Sequence, residues 1–498
     1  MVLNYGAACV GDKARATFCK GTKNALTLSE TNLYIMKRIT ILAAALLVSL
    51  GLCAQTYTAD WESLDEREVP EWFENAKFGI FIHWGLYSVP SYSPSAVDGV
   101  QKYDRYAEHY WNRMVNGKPS DRKFFGDFHN RTYGPNFEYR DFASMFKAEM
   151  FQPEEWARIF EDSGARYVVL TSKHHEGYCL WPSKYSLNWN AVDTGPHRDL
   201  LGDLTDAVRA RGLKMGYYYS LLEWFHPLYT PETLDSYIDQ HEFPQMKELV
   251  ESYRPDILWT DGEWDYTSAR WRSVEFIQWL YNESSVRGTV AINDRWGSET
   301  RSLHGGYYTT EYDLVHSGDA NGMAFKKPWE ECRGIGGSFG FNRHEYLDEY
   351  STSEQLVHIL INKVARGGNL LLNIGPTADG RIPVIMQQRL RDMGDWLRVN
   401  GEAIYDTRKW DKAPAVTPDT KTFFTVKDGA LYVIVTEWTG APVVVGGVKG
   451  AKAVSMLGTD ARVRFSQSGG KLTIMPPVLK SPTDIPCNYA WVYKVEFR

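Results

Sequence analysis

Residues 153–175 read PEEWARIFEDSGARYVVLTSKHH. The first half is an amphipathic helical pattern; the second is a short apolar run that ends in polar side chains. Working outward, the same alternation recurs from about Lys77 to Pro376. The apolar runs are KFGIFIHWG, YVVLTSKHH, LKMGYYYSLLEW, DILWTDG, GTVAINDRWG, YYTTEYD, EECRGIGG and GGNLLLNIGP, eight in all. Between several of them lie helical patterns such as LLGDLTDAVRARG and SVEFIQWLYNESS. Strands alternating with helices predict a parallel sheet, and eight such units predict a (β/α)8-like barrel. The first, sixth and seventh units are the least regular, so some helices are expected to be missing.

The residues at the ends of the runs favour a barrel over an open sheet. His83, His174, His175, Asp261, Asn293, Arg295, Glu311 and Asn373 lie at or near run ends, and Tyr218 and Tyr219 lie in the third run. All C-terminal strand ends of a barrel converge on one face, where active sites sit. An open sheet would spread them along a line. No GxGxxG or Walker loop opens a helix, so nucleotide binding has no support.

After about Trp410 the helical pattern stops. The runs TFFTVKDGALYVIVT, APVVVGG, ARVRFSQSGGKLTIM and YAWVYKVEF alternate, and Asp428-Gly429 and Gly469-Gly470 suit hairpin turns. A small antiparallel β-sandwich is expected. At the other end, Met36-Lys37-Arg38 precedes the apolar run ITILAAALLVSLGLCA, the pattern of a secretory signal peptide. It is too short for a stable membrane anchor. Cys53 raises a lipoprotein alternative, which Leu52 fits poorly. The chain therefore divides into residues 1–35, an upstream mis-start; 36–54, a signal peptide; 55–408, the barrel; and 409–498, the sandwich. The expected location is the periplasm.

Composition narrows the function. A net charge of −7 gives no basic footprint for nucleic acid. Hydrophobic residues at 43% and charged residues at 23% describe a globular chain. Aromatics at 14% supply flat faces that suit sugar rings or simply fill a large core. After Gln55 the cysteines are Cys179, Cys332 and Cys487, an odd and isolated set that offers neither a disulfide framework nor a zinc knuckle.

Two carboxylates across a sugar are what glycoside hydrolysis needs. Asp261 in LWTDGEW and Glu311 in TTEYD end different strands and could face each other across a cleft. Adjacent strand residues point to opposite faces, so His174 and His175 are poorly spaced to ligate one ion. Hydrogen bonding to substrate hydroxyls is the better reading, with the chain bending at the strand end. Trp259 shares a strand face with Asp261. Trp224 and Trp264 suit either a sugar platform or core.

These motifs, with AEHYWNRM, NDRWG and RGIGGSFGFN, resemble in order those of the retaining α-L-fucosidases, glycoside hydrolase family twenty-nine, from about Trp61 to the C-terminus. The resemblance implies a (β/α)8-like barrel followed by a β-sandwich. It implies an exo-acting α-L-fucosidase that hydrolyses terminal α-L-fucosyl linkages of glycans by double displacement. Asp261 resembles the nucleophile and Glu311 the acid/base, with Glu330 in WEEC as the alternative. His83, His174, His175, Glu108, Tyr218, Trp259 and Arg295 resemble the fucose contacts, with Tyr219, one residue on, as the alternative to Tyr218. His109 stands where the family's Glu-Trp pair has tryptophan, so its role is open. No cofactor or metal is implied. The partners are fucosylated glycans or oligosaccharides, with no nucleic acid, no membrane span and an open oligomeric state. A non-catalytic fucose-binding protein, or a glycosidase on another sugar, are the other readings. A lectin needs neither carboxylate.

Protein recovered from the periplasm should begin near Gln55 by intact mass. Mature protein that retains residues 1–35 would refute export through this segment.

Overall fold

The computed structural model describes residues 56–100, 105–315, 318–319 and 327–497. The expected upstream mis-start and signal peptide therefore lie outside the described residues. Eight parallel strands form the main sheet: Phe78–Ile82 (β1), Tyr167–Lys173 (β2), Lys214–Ser220 (β3), Ile257–Asp261 (β4), Ala291–Ile292 (β5), Tyr308–Glu311 (β6), Trp329–Gly334 (β7) and Gly368–Ile374 (β8). Seven fall inside the apolar runs, and β7 begins one residue before its run, at Trp329. Their order is β5-β4-β3-β2-β1-β8-β7-β6. The two end strands are joined by backbone bonds from Gly306 N to Asn293 O (3.2 Å) and from Tyr307 N to Ile292 O (3.0 Å). The barrel is thus as expected, with its thinnest seam at β5.

Crossover helices are Pro153–Asp162 (α1), Leu200–Ala210 (α2), Phe243–Tyr253 (α3), Ser273–Asn282 (α4) and Ser353–Ala365 (α5), and Val384–Asn400 (α6) follows β8. Proline at the first position starts α1, and Asp199 caps α2 by accepting from Gly202 N. Among the described residues no helix joins β5 to β6 or β6 to β7. The irregular units are therefore the fifth and sixth. The first and seventh, expected to be irregular, carry α1 and α5. The β5–β6 connection holds its backbone by side-chain bonds instead: Asp294 accepts from Ser302 N (2.8 Å) and from Thr309 N (3.1 Å) and Oγ1 (2.7 Å).

Strand alternation divides the core in two. Phe81, Val169, Tyr218, Ile257, Trp259, Cys332 and Leu371 pack together inside the barrel. Their neighbours Ile80, Val168, Tyr217, Tyr219, Leu258 and Leu370 belong to the layer under the helices. Bulky rings inside need gaps opposite them. A Cβ on Gly79 would lie 2.4 Å from the Tyr167 ring.

The C-terminal strands form two antiparallel sheets. Arg408–Lys409 (β9), Thr422–Lys427 (β10), Ala430–Val435 (β11), Val443–Gly446 (β12), Ala453–Met456 (β13), Arg464–Ser468 (β14), Lys471–Met475 (β15) and Trp491–Glu496 (β16) pair in the orders β9-β10-β11-β16-β13 and β12-β15-β14. Leu431 and Val433 from one sheet pack with Val445, Leu472 and Ile474 from the other. Asp428 (φ 51°) and Gly429 (φ 79°) turn one hairpin; Gly469 (φ 58°) and Gly470 (φ 75°) turn the other. Both fit the left-handed pairs that two-residue hairpins require. Strand β9 starts at Arg408, so the sandwich sheet begins one residue before the expected boundary. Trp396 Nε1 of α6 donates to Ala490 O (2.8 Å), tying helix to sandwich. Cys179, Cys332 and Cys487 are free thiols. No helix of the described residues is long and apolar enough to cross a membrane.

Gly79→Val should destabilise the fold by about 1–3 kcal/mol, the usual cost of overpacking. Denaturant unfolding of the variant checks this.

Candidate functional site

The strand ends open onto a cavity of about 200 Å³. Asp261, the last residue of β4, is its best-anchored group. Tyr218 of β3 donates to Asp261 Oδ2 (2.9 Å), and Arg295 Nη1, past the end of β5, donates to Oδ1 (2.8 Å). Burial pushes the Asp261 carboxyl up, but Arg295, Arg301 and the Tyr218 hydroxyl outweigh it and hold the group below its ordinary value. The nucleophile candidate is therefore ionised. Gly262, at φ 74°, turns the chain away directly after it.

Arg295 reaches a second carboxylate. Its Nη2 lies 3.3 Å from Glu311 Oε2, at the end of β6, and Tyr106 donates to Oε1 (3.1 Å). The guanidinium also lies 4.3 Å from the centre of the Trp259 ring. A buried cation needs this enclosure of charge and π-face.

Glu330, the alternative acid, sits elsewhere. Its carboxyl accepts from Tyr167 (2.5 Å) and from Trp259 Nε1 (3.0 Å), and it is wholly buried and absent from the cavity wall. Burial pushes it up to about 7, against those hydrogen bonds. Strand alternation sends Glu330 into the barrel on β7, but two residues short of Cys332, which does line the cavity.

The histidines supply neutral acceptors. Asn373 Nδ2 donates to Phe339 O (2.7 Å), which leaves its Oδ1 to accept from His83 Nδ1 (2.7 Å). His83 Nε2 then keeps its lone pair. Ser220 Oγ donates to Leu222 O (2.7 Å), so it accepts from His175 Nδ1 (2.6 Å), and Nε2 of His175 is likewise unprotonated. Burial depresses His83 and His175 well below the ordinary value and takes His174 to about 3. The adjacent histidines converge because the chain bends at the strand end, as expected. Strand β2 ends at Lys173, alternation ends with it, and the two rings lie 4.1 Å apart.

Glu108 comes from a turn at Ala107–His109 in the long β1–β2 connection. Its Oε2 accepts from Gly340 N (2.8 Å) and Ser338 Oγ (3.2 Å), while burial pushes it up to about 7. His109 follows it into the cavity. Tyr218 faces inward, whereas Tyr219 donates to Gln245 of α3 (2.9 Å) and so lies outside the barrel. Trp264 lines the cavity; Trp224 packs against His175 (5.2 Å) and His109 (5.6 Å) behind it.

The structure thus brings His83, Glu108, His174, Tyr218, Trp259, Asp261, Arg295 and Glu311 around one cavity, with His175 Nε2 3.9 Å from Asp261 Oδ2. Sequence reading missed Arg301, Tyr106, Phe81, Cys332 and Phe339, which also line it. Arg301 Nη2 lies 3.8 Å from Asp261 and its Nε donates to Glu263 (2.6 Å). It sits in the helix-free β5–β6 connection, where no strand end marks it. Tyr106 and Phe339 likewise come from connections.

Residues 46–402 match the family model described as Alpha-L-fucosidase. The chain belongs to the α-L-fucosidase family. It is 44% identical over 463 residues to an alpha-L-fucosidase of Branchiostoma floridae, covering 91% of this chain and 98% of that protein. It is 40% identical to the human tissue alpha-L-fucosidase, over 88% of this chain and 91% of that one. Among solved structures, the Thermotoga maritima alpha-fucosidase in complex with fucose superposes with a TM-score of 0.72 at 38% identity, covering 88% of this chain and all of that one. Family membership makes the chain a glycoside hydrolase, and the family's barrel and C-terminal sheets are those described above.

Tyr218→Phe removes one hydrogen bond that favours the ionised Asp261. A depressed carboxyl stays ionised until pH falls through its folded value, so losing a depressing contact moves that loss to higher pH. The acid limb of kcat/KM should rise by about 1 pH unit, the equivalent of one charge-assisted hydrogen bond. An unmoved limb would show that the bond does not set the charge of Asp261.

Proposed function

We propose that this chain is an exo-acting α-L-fucosidase that removes terminal α-L-fucosyl units from glycans with retention of configuration. One observation carries the reading: a single guanidinium, Arg295, holds both Asp261 and Glu311 at a small cavity ringed by neutral histidines. A volume of about 200 Å³ is below the roughly 300 Å³ at which pockets for drug-sized ligands begin, and suits one terminal sugar. Sharing one guanidinium keeps the carboxylates close, as a covalent mechanism with groups about 5–5.5 Å apart requires.

In this mechanism Asp261 attacks the anomeric carbon while Glu311 protonates the departing oxygen. The C–O bond to the aglycone breaks and a glycosyl ester forms on Asp261. Esterification removes the charge of Asp261 as Glu311 gains one, so Arg295 keeps one anionic partner throughout. Glu311, now a carboxylate, takes a proton from water, which attacks the same carbon and frees Asp261. His83 and His175 accept hydrogen bonds from sugar hydroxyls through Nε2, and His174, Glu108 and Trp259 complete the contacts. No cofactor takes part. The wider cavity bordered by Trp111, Trp189 and Phe225, with Trp111 5.8 Å from Trp224, offers aromatic faces for the rest of the glycan. Residues 36–54 export the chain to the periplasm, and residues 55–408 and 409–498 act as barrel and sandwich.

Two variants test the roles. Asp261→Gly should nearly abolish turnover, and added azide should give the β-fucosyl azide by attack from the vacated face. Glu311→Ala should slow natural fucosides by ~10²–10⁴-fold, the range of general acid catalysis, and spare activated aryl fucosides more. Azide should then trap the ester as the α-fucosyl azide. If Glu330→Ala gives the α-azide and Glu311→Ala does not, the acid/base is Glu330.

A further inference from the structure

His109 has no part in the mechanism above, yet its ring stands among the histidines of the pocket. One nitrogen from each of His109, His174 and His175 lies within 4.8 Å of the other two. The rings are packed, with centres 5.4 Å apart for His109 and His175, 6.0 Å for His109 and His174, and 4.1 Å for His174 and His175. Metal–nitrogen bonds of about 2.0–2.1 Å place tetrahedral donors roughly 3.4 Å apart, so small rotations of these rings close the site.

The surroundings fit such a site. His175 is anchored by Ser220 through Nδ1, which fixes Nε2 as its free donor. Outer partners of this kind orient metal-binding histidines. His174 Nδ1 is buried without a hydrogen bond, 3.4 Å from the carboxylate oxygen of Glu176. That pair is poised as a second carboxylate–histidine support. Among the described residues His109 makes ring contacts and no side-chain hydrogen bond. Asp261, 3.9 Å from His175 Nε2, is within reach of the fourth position.

We propose that His109, His174 and His175 bind a borderline-soft divalent cation such as zinc, and that the bound ion blocks the sugar pocket. Neutral imidazoles suit zinc, copper and nickel, and not magnesium or calcium. The ion would take the lone pairs that sugar hydroxyls otherwise use, so metal and sugar exclude one another. This blocking effect rests on the proposed fucosidase reading; the binding does not.

The test uses the purified, chelator-treated chain with cobalt(II) as the spectroscopic probe, and zinc as inhibitor of aryl α-L-fucoside turnover. One cobalt per chain should give the intense visible absorption of a four-coordinate ion, which excess zinc and excess fucose each abolish. Turnover should survive the chelator, fall with added zinc and recover with chelator or more substrate. In His109→Phe, the zinc concentration that halves the variant's own metal-free rate should rise more than ~10-fold, beyond the minimum cost of losing an outer-shell partner. Absence of the band, or an unchanged zinc response in His109→Phe, overturns the proposal. Should that variant fail to fold, displacement of cobalt by fucose in the native chain decides. Cobalt bound through His109 with no hydrolysis of any fucoside would sink the functional reading and leave the metal site standing. Hydrolysis without the cobalt band would do the reverse.

Discussion

A guanidinium sealed inside the mouth of a barrel must be paired, and the arrangement around Arg295 follows from that need. Its desolvation is offset by Asp261 at 2.8 Å, by Glu311 at 3.3 Å and by the face of Trp259. Removing one partner of a buried pair is costly because the other charge is left unmatched. Four strand ends therefore depend on one another: β3 through Tyr218, β4 through Asp261, β6 through Glu311 and the residues just past β5 through Arg295 itself. The seam at β5 has few backbone bonds, and this ion network spans it.

The rest of the pocket is the electrostatic complement of that network. Burial keeps His83, His174 and His175 neutral, so the wall opposite the carboxylates offers lone pairs without adding charge. A neutral wall recognises hydroxyl groups, and it also suits a cation that binds imidazole. In the proposed readings the same property serves sugar recognition and exposes the site to metal. In the proposed metal site one additional histidine, His109 in a turn, supplies the third donor.

The strand and helix periodicities were legible because each is local. All eight barrel strands lie in the apolar runs or within one residue of them, and both hairpins turn at Asp428-Gly429 and Gly469-Gly470. The irregularity of the sixth unit was legible, but that of the fifth was not. In the fifth, the missing helix is replaced by bonds that the Asp294 carboxylate accepts from Ser302 and Thr309, which have no periodic signature. Inward strand-end residues such as Asp261 could be placed from alternation. Tyr218 and Tyr219 could not be told apart until the register with β4 fixed which one faced Asp261. Alternation stops at Lys173, so His174 and His175, just beyond the strand, converge through the expected bend.

By itself the sequence determined the barrel, the sandwich and the cluster of strand-end acids and histidines at one face. Those follow from spacing that neighbours in the chain impose on each other. Only the tertiary structure decided which acids share that pocket. Glu311 and Glu330 are similar in sequence, but one ends β6 beside Arg295, while the other lies buried beside Trp259 and Tyr167. Arg301 and His109 likewise entered the site from connections whose course is set by packing against distant strands. Depth in a barrel is a property of register among strands, and no single stretch of chain encodes it.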